Sequence, residues 1–190
     1  MLGAVEHPTE HPTAAALEAG LDDVRRAPRD RGRVELIVRR PAESEREVLA
    51  VGELDRGEGL VGDTWRARSD PPTADGWPDG DMQLTLMSSR VARLVAVRAD
   101  RWQLAGDQLF VDLDLSEANL PAGTRLAIGT AVIEVTAQPH TGCAKFVERF
   151  GADAMKFVNS RERQDLHLHG INARVVRAGR IRAGDTISKL

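Results

Sequence analysis

The strongest constraint in this chain is the stretch Arg125-Leu-Ala-Ile-Gly-Thr-Ala-Val-Ile-Glu-Val-Thr136, where two apolar, β-rich arms flank Gly129-Thr130. Such arms suit a pleated sheet, and glycine supplies the positive φ that a two-residue hairpin turn demands. The same punctuation recurs from residue 33 onward, where short apolar runs are cut by Gly-Asp, Asp-Gly and Pro. Val34 to Val38, Val48 to Leu54, Leu84 to Met87, Leu109 to Leu115, Leu126 to Ala137, Ala173 to Val176 and Thr186 to Ile187 are the expected strands. Seven or so short strands bury their apolar faces most simply in a barrel or sandwich. With 42% of 190 residues apolar, the chain has enough side chains to fill such a core.

Helices are expected at four places. Thr13 makes a good N-cap for Ala14, Ala15, Ala16 and Leu17, with Pro28 as a stop and the end near Arg26. Ser88 or Ser89 caps Arg90 to Val97, Thr141 opens a helix ending near Phe150, and Asp153 opens a shorter one to Asn159. The expected class is therefore mostly β, a β-rich α+β barrel with a few short helices. Residues 66 to 82, with Pro71, Pro72, Gly76, Pro78 and Gly80 among acids, read as a long surface loop or lid. The tandem tetrapeptides Glu6-His-Pro-Thr9 and Glu10-His-Pro-Thr13 read as a loose tail, because proline blocks helix and strand alike. Residues 1–40 are accordingly taken as tail, helix and first strand, and residues 41–190 as the barrel domain.

Charge and composition exclude several classes. A net charge of −3 gives no overall positive field for DNA or RNA phosphates, so nucleic acid is not an expected partner. The single cysteine cannot form an internal disulfide, and the first residues lack the basic start and apolar run of a signal peptide. A cytoplasmic location is expected. No apolar run approaches the 18 or so residues of a membrane span, so no membrane insertion is expected. Arginine outnumbers lysine 23 to 3, and Arg25 to Arg40 holds a cluster of them, but interleaved acids make this a charge-mixed surface. The glycine-rich pieces Gly57 to Gly62 and Ala178 to Gly184 lack the strand-then-helix setting of a phosphate loop and read as β-turns.

The most informative stretch for chemistry is Gln138-Pro-His-Thr-Gly-Cys-Ala-Lys-Phe-Val-Glu-Arg-Phe-Gly151, which sets the only thiol, Cys143, at a strand-to-helix junction. With Thr141 as N-cap, Cys143 falls in the first helical turn, near unpaired N–H groups and the positive end of the helix dipole. A terminus worth about 1.4 kcal/mol lowers a thiol pKa by about one unit and raises the thiolate fraction at pH 7 from about 3% to about a quarter. His140 and Lys145 can add to this, His140 by moving a proton near the thiol and Lys145 by stabilising negative charge on it or on a ligand phosphate. The competing role is structural: Cys143, Phe146, Val147 and Phe150 share one helical face, and buried cysteine is common. In Asp165-Leu-His-Leu-His-Gly170, His167 and His169 share a face if the segment is extended, and with His140 and Cys143 they form a conceivable zinc set. Its spacing matches no common structural zinc pattern.

Taken in order, these motifs resemble the MOSC domain, the module named for the C-terminal part of molybdenum cofactor sulfurases. Gly59-Leu-Val-Gly-Asp63 resembles the family's early glycine-aspartate turn, and residues 120–136 resemble its central hairpin. Cys143 falls where the family carries its characteristic cysteine, and Gly170-Ile-Asn-Ala-Arg-Val-Val176 with Gly179-Arg-Ile-Arg-Ala-Gly-Asp185 resemble its closing strands. The resemblance spans roughly residues 45 to 190. It implies a compact, mostly β barrel whose cysteine either carries sulfur as a persulfide or ligates the molybdenum of a bound pterin, so Cys143 inherits a catalytic, cofactor-binding and metal-ligating role. Some relatives reduce N-hydroxylated compounds at the molybdenum centre, and others serve sulfuration of the cofactor. Asp107 and Gln108 are further candidate cofactor contacts, because Gly106-Asp107-Gln108-Leu109 stands where a Gly-Glu-Asn-Leu type segment is expected. Molybdopterin is the implied cofactor, whereas pyridoxal phosphate belongs to the sulfurase domain of larger relatives and is not expected on this chain. A sulfur donor or a redox partner protein and a small-molecule substrate follow from the same resemblance, and an exposed strand edge allows a homodimer. The alternative is a non-catalytic ligand- or protein-binding barrel with a structural cysteine.

Overall fold

The computed structural model describes residues 11–68, 80–141 and 144–190. Most of the expected tail, the middle of the expected 66–82 loop, and Cys143 therefore lie outside the described residues. The described elements are α1 (Ala14–Arg25), β1 (Arg31–Arg39), β2 (Glu47–Leu49), β3 (Val51–Asp55), β4 (Gly59–Leu60), α2 (Trp65–Arg68), β5 (Leu84–Ser88), α3 (Ser89–Ala96), β6 (Leu109–Asp112), β7 (Arg125–Ile128), β8 (Ala131–Val135), α4 (Ala144–Val158), β9 (Ile171–Arg177), β10 (Gly179–Arg182) and β11 (Thr186–Lys189). Short 3₁₀ turns occupy Gly80–Met82, Ala99–Ala105 and Arg161–Leu166.

Seven strands close into a barrel in the order β1-β11-β7-β8-β9-β5-β6, with β6 pairing back to β1. All neighbours are antiparallel except β5 and β6, which run parallel with α3 and the Ala99–Ala105 turn as their crossover. The mostly β barrel expected from the spacing of apolar runs is the observed fold. β2 extends the wall at the far half of β1, and β10-β3-β4 form a small second sheet. β1 is part of the wall, so the barrel starts at Arg31, inside the segment that the sequence set apart as residues 1–40.

Side chains fill two apolar regions. The barrel interior holds Val34, Ile37, Leu86, Leu109, Val111, Ile133 and Ile187, while Val38, Met87 and Phe110 point outward beneath α1, α3 and α4. Alternation along a strand accounts for Leu86 inside and Met87 outside. It does not by itself account for Val34 and Ile37 sharing the interior, three residues apart. A register shift between Val34 and Leu36 in the β1–β6 pairing resolves this, since one bulged residue restores the inward face. The hairpin joins Ile128 to Ala131 through Gly129-Thr130, with Gly129 at φ 53°.

Local signals hold at most helix ends. The Thr13 side chain accepts from the Ala16 N–H, and α1 ends at Arg25. Ser88 occupies the N-cap of α3 without a side-chain cap bond. The expected pair of helices after residue 141 is a helical stretch broken at Gly151, and its described part begins at Ala144. Three expectations change. The run Val48 to Leu54 divides at Ala50, because β2 pairs with β1 whereas β3 leaves for the second sheet with β10. The run Leu109 to Leu115 stops pairing at Asp112, and Asp114 bends the chain by accepting from the Ser116 N–H. The segments taken as β-turns, Gly57 to Gly62 and Ala178 to Gly184, contribute strands β4 and β10, because β3 offers them both a pairing edge. Among the described residues no helix is long and apolar enough to cross a membrane.

Candidate functional site

Four chain segments that flank strands converge on one polar cluster. Arg40 follows β1, Asp107 precedes β6, His140 lies between β8 and α4, and His169 precedes β9. Arg40 and Asp63 form its rigid base. The guanidinium donates from Nε and Nη2 to the two Asp63 oxygens, both at 2.8 Å, while Nη1 donates to the Gly106 carbonyl at 2.9 Å. The Asp63 carboxylate also accepts from the backbone N–H groups of Arg40 and Trp65. Burial would raise the Asp63 pKa, but the hydrogen bonds and charge of Arg40 outweigh it and hold the carboxyl below its usual range.

Arg40 thus fixes the turn at Gly106, and Asp107 follows at once. Its carboxylate is fully buried and lies 3.5 Å from His140 Nδ1. Among the described residues its oxygens have no well-aligned hydrogen-bond donor, although the Thr85 hydroxyl, which donates to Gln108 Oε1 at 2.6 Å, lies close enough to lower the Asp107 pKa. Burial pushes Asp107 up to about 6, against the opposing pull of His169 and Arg40. His140 is lowered to about 4 by burial and then by the Arg40 charge. His169 is lowered to about 4 by burial and then by His140, with Asp107 opposing. Both imidazoles are therefore neutral at pH 7, each with one N–H donor and one lone pair.

The two rings meet edge to face with centroids 4.5 Å apart, and His169 also packs on Phe146 at 4.9 Å. Among the described residues, His140 Nδ1 and both nitrogens of His169 are buried without a well-aligned hydrogen-bond partner. The pair borders a cavity of about 780 Å³ lined by Arg40, Arg46, Lys145 and Arg149 as well as Glu43, Thr141 and Phe146. Lys145 sits on its exposed rim, 3.4 Å from Glu43. Such a concave surface, cationic at the edge and holding buried polar atoms at its wall, is suited to an anionic ligand with polar substituents.

The sequence candidates are thus partly assembled. His140 and Asp107 are brought together, and Lys145 shares a cavity with His140. Gln108 stands behind them, with its oxygen accepting from Thr85 N and Oγ1 and its nitrogen directed at Asp63 and Gln83. Cys143 lies outside the described residues. His167 and His169 do not share a face, because 165–170 is not extended: the chain turns through Arg161–Leu166 and His167 adopts φ 46°. His167 instead donates from Nδ1 to the Leu115 carbonyl at 2.9 Å, while His169 turns to His140. Among the described residues no three His, Cys, Asp or Glu side chains are arranged to hold a metal ion. Arg40, Asp63 and Arg149 escaped the sequence reading, although Asp63 ends the Gly59 to Asp63 turn and Arg40 precedes Pro41.

Comparison with known proteins gives the following. The family model of the MOSC domain matches residues 79–188. The YUAD protein of Bacillus subtilis superposes with a TM-score of 0.63 at 15% identity, covering 84% of this chain and 95% of that one. YiiM from Escherichia coli does so at 0.52 and 20% identity, covering 83% and 69%. YiiM from Geobacillus stearothermophilus gives 0.51 and 15% identity over 84% and 75%. No curated protein matches the sequence significantly. The structural likenesses establish a shared fold.

Proposed function

This chain belongs to the MOSC domain family, and from that premise we propose that it binds the molybdenum cofactor in the 780 Å³ cavity, with Cys143 as the thiolate that engages it. One observation carries the proposal. Thr141 and Lys145 both line that cavity, and Cys143 lies between them in the chain. The donor set fits the group. Arg46, Lys145 and Arg149 line it and suit the phosphate of a pterin cofactor, and the imidazoles of His140 and His169 at its wall suit polar atoms of a ligand. A soft thiolate suits molybdenum. When bound, the cofactor would supply a redox-active metal centre.

The remaining work falls to the protein. Arg40 positions Gly106 and Asp107 through its bond to the Gly106 carbonyl. His140, neutral at pH 7, is able to hold or pass one proton at the cavity wall, with the Asp107 carboxyl group 3.5 Å from its Nδ1. Lys145 on the rim attracts negative charge. Reduction of a substrate, N-hydroxylated compounds being the proposed class, requires electrons from a separate redox protein, and a cytoplasmic setting with such a partner completes the proposal.

The test is the molybdenum, pterin and zinc content of the protein purified from a host that makes the cofactor, beside Cys143→Ala. Near-stoichiometric molybdenum and pterin, lost in the variant, is the expected result. A preparation without either overturns cofactor binding. A Cys143 mass increase of one sulfur atom, removed by cyanide, would then assign the chain to persulfide transfer.

A further inference from the structure

Among the described residues the 780 Å³ cavity is lined by Arg40, Arg46, Lys145 and Arg149 against a single acid, Glu43. The four cations differ in what already holds them. Arg40 is engaged by Asp63 and the Gly106 carbonyl, and Arg46 donates from Nη1 to the Glu45 carbonyl. Arg149, half-buried on α4, donates from Nη1 to the Leu104 carbonyl, which fixes its guanidinium, and among the described residues it has no carboxylate partner. Lys145 is the cation that the cavity's own acid meets, with Nζ 3.4 Å from Glu43 Oε1.

The fold presents Glu43 to Lys145 from a distant part of the chain. Glu43 stands in the connection between β1 and β2, in a turn closed by the Glu45 N–H donating to the Ala42 carbonyl. The Arg40–Asp63 pair pins the chain before this turn, and the Arg39–Glu47 pair pins it beyond. The Glu43–Lys145 contact therefore joins two segments that both line the cavity. It is also easily broken, because the two side chains are 84% and 56% exposed and an ion pair so placed is worth no more than a factor of about five. A carboxylate oxygen and a phosphate oxygen offer an ammonium the same kind of acceptor. An anion entering toward Arg149 and Lys145 must displace the carboxylate or bind against its repulsion.

We infer that Glu43 is a resident counter-ion of this cavity: its carboxylate occupies Lys145 before a ligand binds and is exchanged for a phosphate-type anion that anchors on Arg149. The inference rests on the reading of the cavity as an anion site and adds a control to it. Lys145 is neutralised both before and after exchange, so its charge is never left unmatched. A ligand without an anionic group leaves the Glu43 contact in place, and the turn from Ala42 to Glu45 is released from α4 only by an anion.

The experiment is a ¹H–¹⁵N titration of the full chain, made in a host without the cofactor, with inorganic phosphate and with pyrophosphate. Both anions are expected to shift the amides of residues 145–149 and of 42–45. Glu43→Gln should tighten binding about threefold at low salt, and the gain should shrink in about 0.5 M sodium chloride. Glu45→Gln removes the same charge from the same turn at an exposed residue that does not line the cavity, and should change affinity less than about 1.5-fold. Arg149→Gln should weaken binding about tenfold. In a Lys145→Gln background the gain from Glu43→Gln should vanish, because the carboxylate then has no cation to occupy. Each variant's spectrum reports whether it is folded. Absence of binding by either anion, a gain in Glu45→Gln equal to that in Glu43→Gln, a gain that survives Lys145→Gln, or unmoved amides at 42–45 would each overturn the proposal. Molybdenum and pterin are read separately: their presence with a phosphate affinity indifferent to Glu43 fails this inference alone, and exchange at Glu43 in a chain that never holds molybdenum fails the cofactor reading alone.

Discussion

The Asp107 carboxylate lies 3.5 Å from His140 Nδ1 in complete burial, and among the described residues its oxygens have no well-aligned hydrogen-bond donor. A charge so placed is held against its solvation preference. The neighbouring Gln108, equally buried, accepts from the Thr85 hydroxyl. The site therefore keeps a buried carboxyl group of raised pKa beside a neutral imidazole instead of a relaxed ion pair.

Replacing that carboxylate should stabilise the fold at neutral pH. The Asp107 pKa is raised from 3.8 to about 6, so between these values the native chain holds a proton that the unfolded chain has lost. This group's contribution to stability falls as pH rises from about 4 to about 6, then stays constant. Asp107→Asn is expected to raise unfolding stability at pH 7.5 by roughly 1–3 kcal/mol, less at pH 4.5. Urea unfolding at the two pH values checks this, and a variant less stable than the parent at pH 7.5 would show that the carboxylate is favourably held.

The histidine pair predicts the opposite slope. With both pKa values lowered from 6.5 to about 4, the unfolded chain binds more protons than the native one in that window. Stability from this source is present above pH 6.5 and is lost on acidification, by about 1.4 kcal/mol per pH unit for each histidine. Two histidines outweigh Asp107, so the protein should become acid-labile below pH 6.5. His169→Phe should flatten the profile by about one proton, and denaturation midpoints across pH 4.5 to 7.5 measure it.

The Arg40–Asp63 pair should be intolerant of single changes. Arg40→Met leaves a carboxylate with no exposed side-chain surface uncompensated, and a cost of roughly 3–5 kcal/mol is expected. Asp63→Asn strands the guanidinium in the same way. The double variant should lose less than the sum of the two, and a double-mutant cycle by thermal or chemical unfolding reads the coupling directly.

Gly170 links the histidine wall to the barrel. It adopts φ 117°, and a Cβ there would collide with the Leu86 carbonyl oxygen and stand 3.1 Å from His140 Nδ1. Gly170→Ala should destabilise by roughly 2–4 kcal/mol and displace the His140 ring, since neither backbone nor ring has room to give. The unfolding midpoint measures the first effect, and the His140 imidazole resonance the second.

Sequence alone determined what depends on neighbours along the chain. The hairpin at Gly129-Thr130, the Thr13 cap and the alternating strands are set by backbone preference and apolar spacing over a few residues, and all are present. The order of motifs was also enough to place the chain in its family. The unique thiol and its neighbours His140 and Lys145 drew attention because they share one short stretch. Tertiary structure decided the rest. Asp107 reaches His140, Arg40 reaches Asp63 and His169 reaches His140 across segments far apart in sequence, through barrel closure and a β1 bulge that no local periodicity encodes. The same closure removed these polar groups from water, and burial, which depends on every packed neighbour at once, is what moved their pKa values.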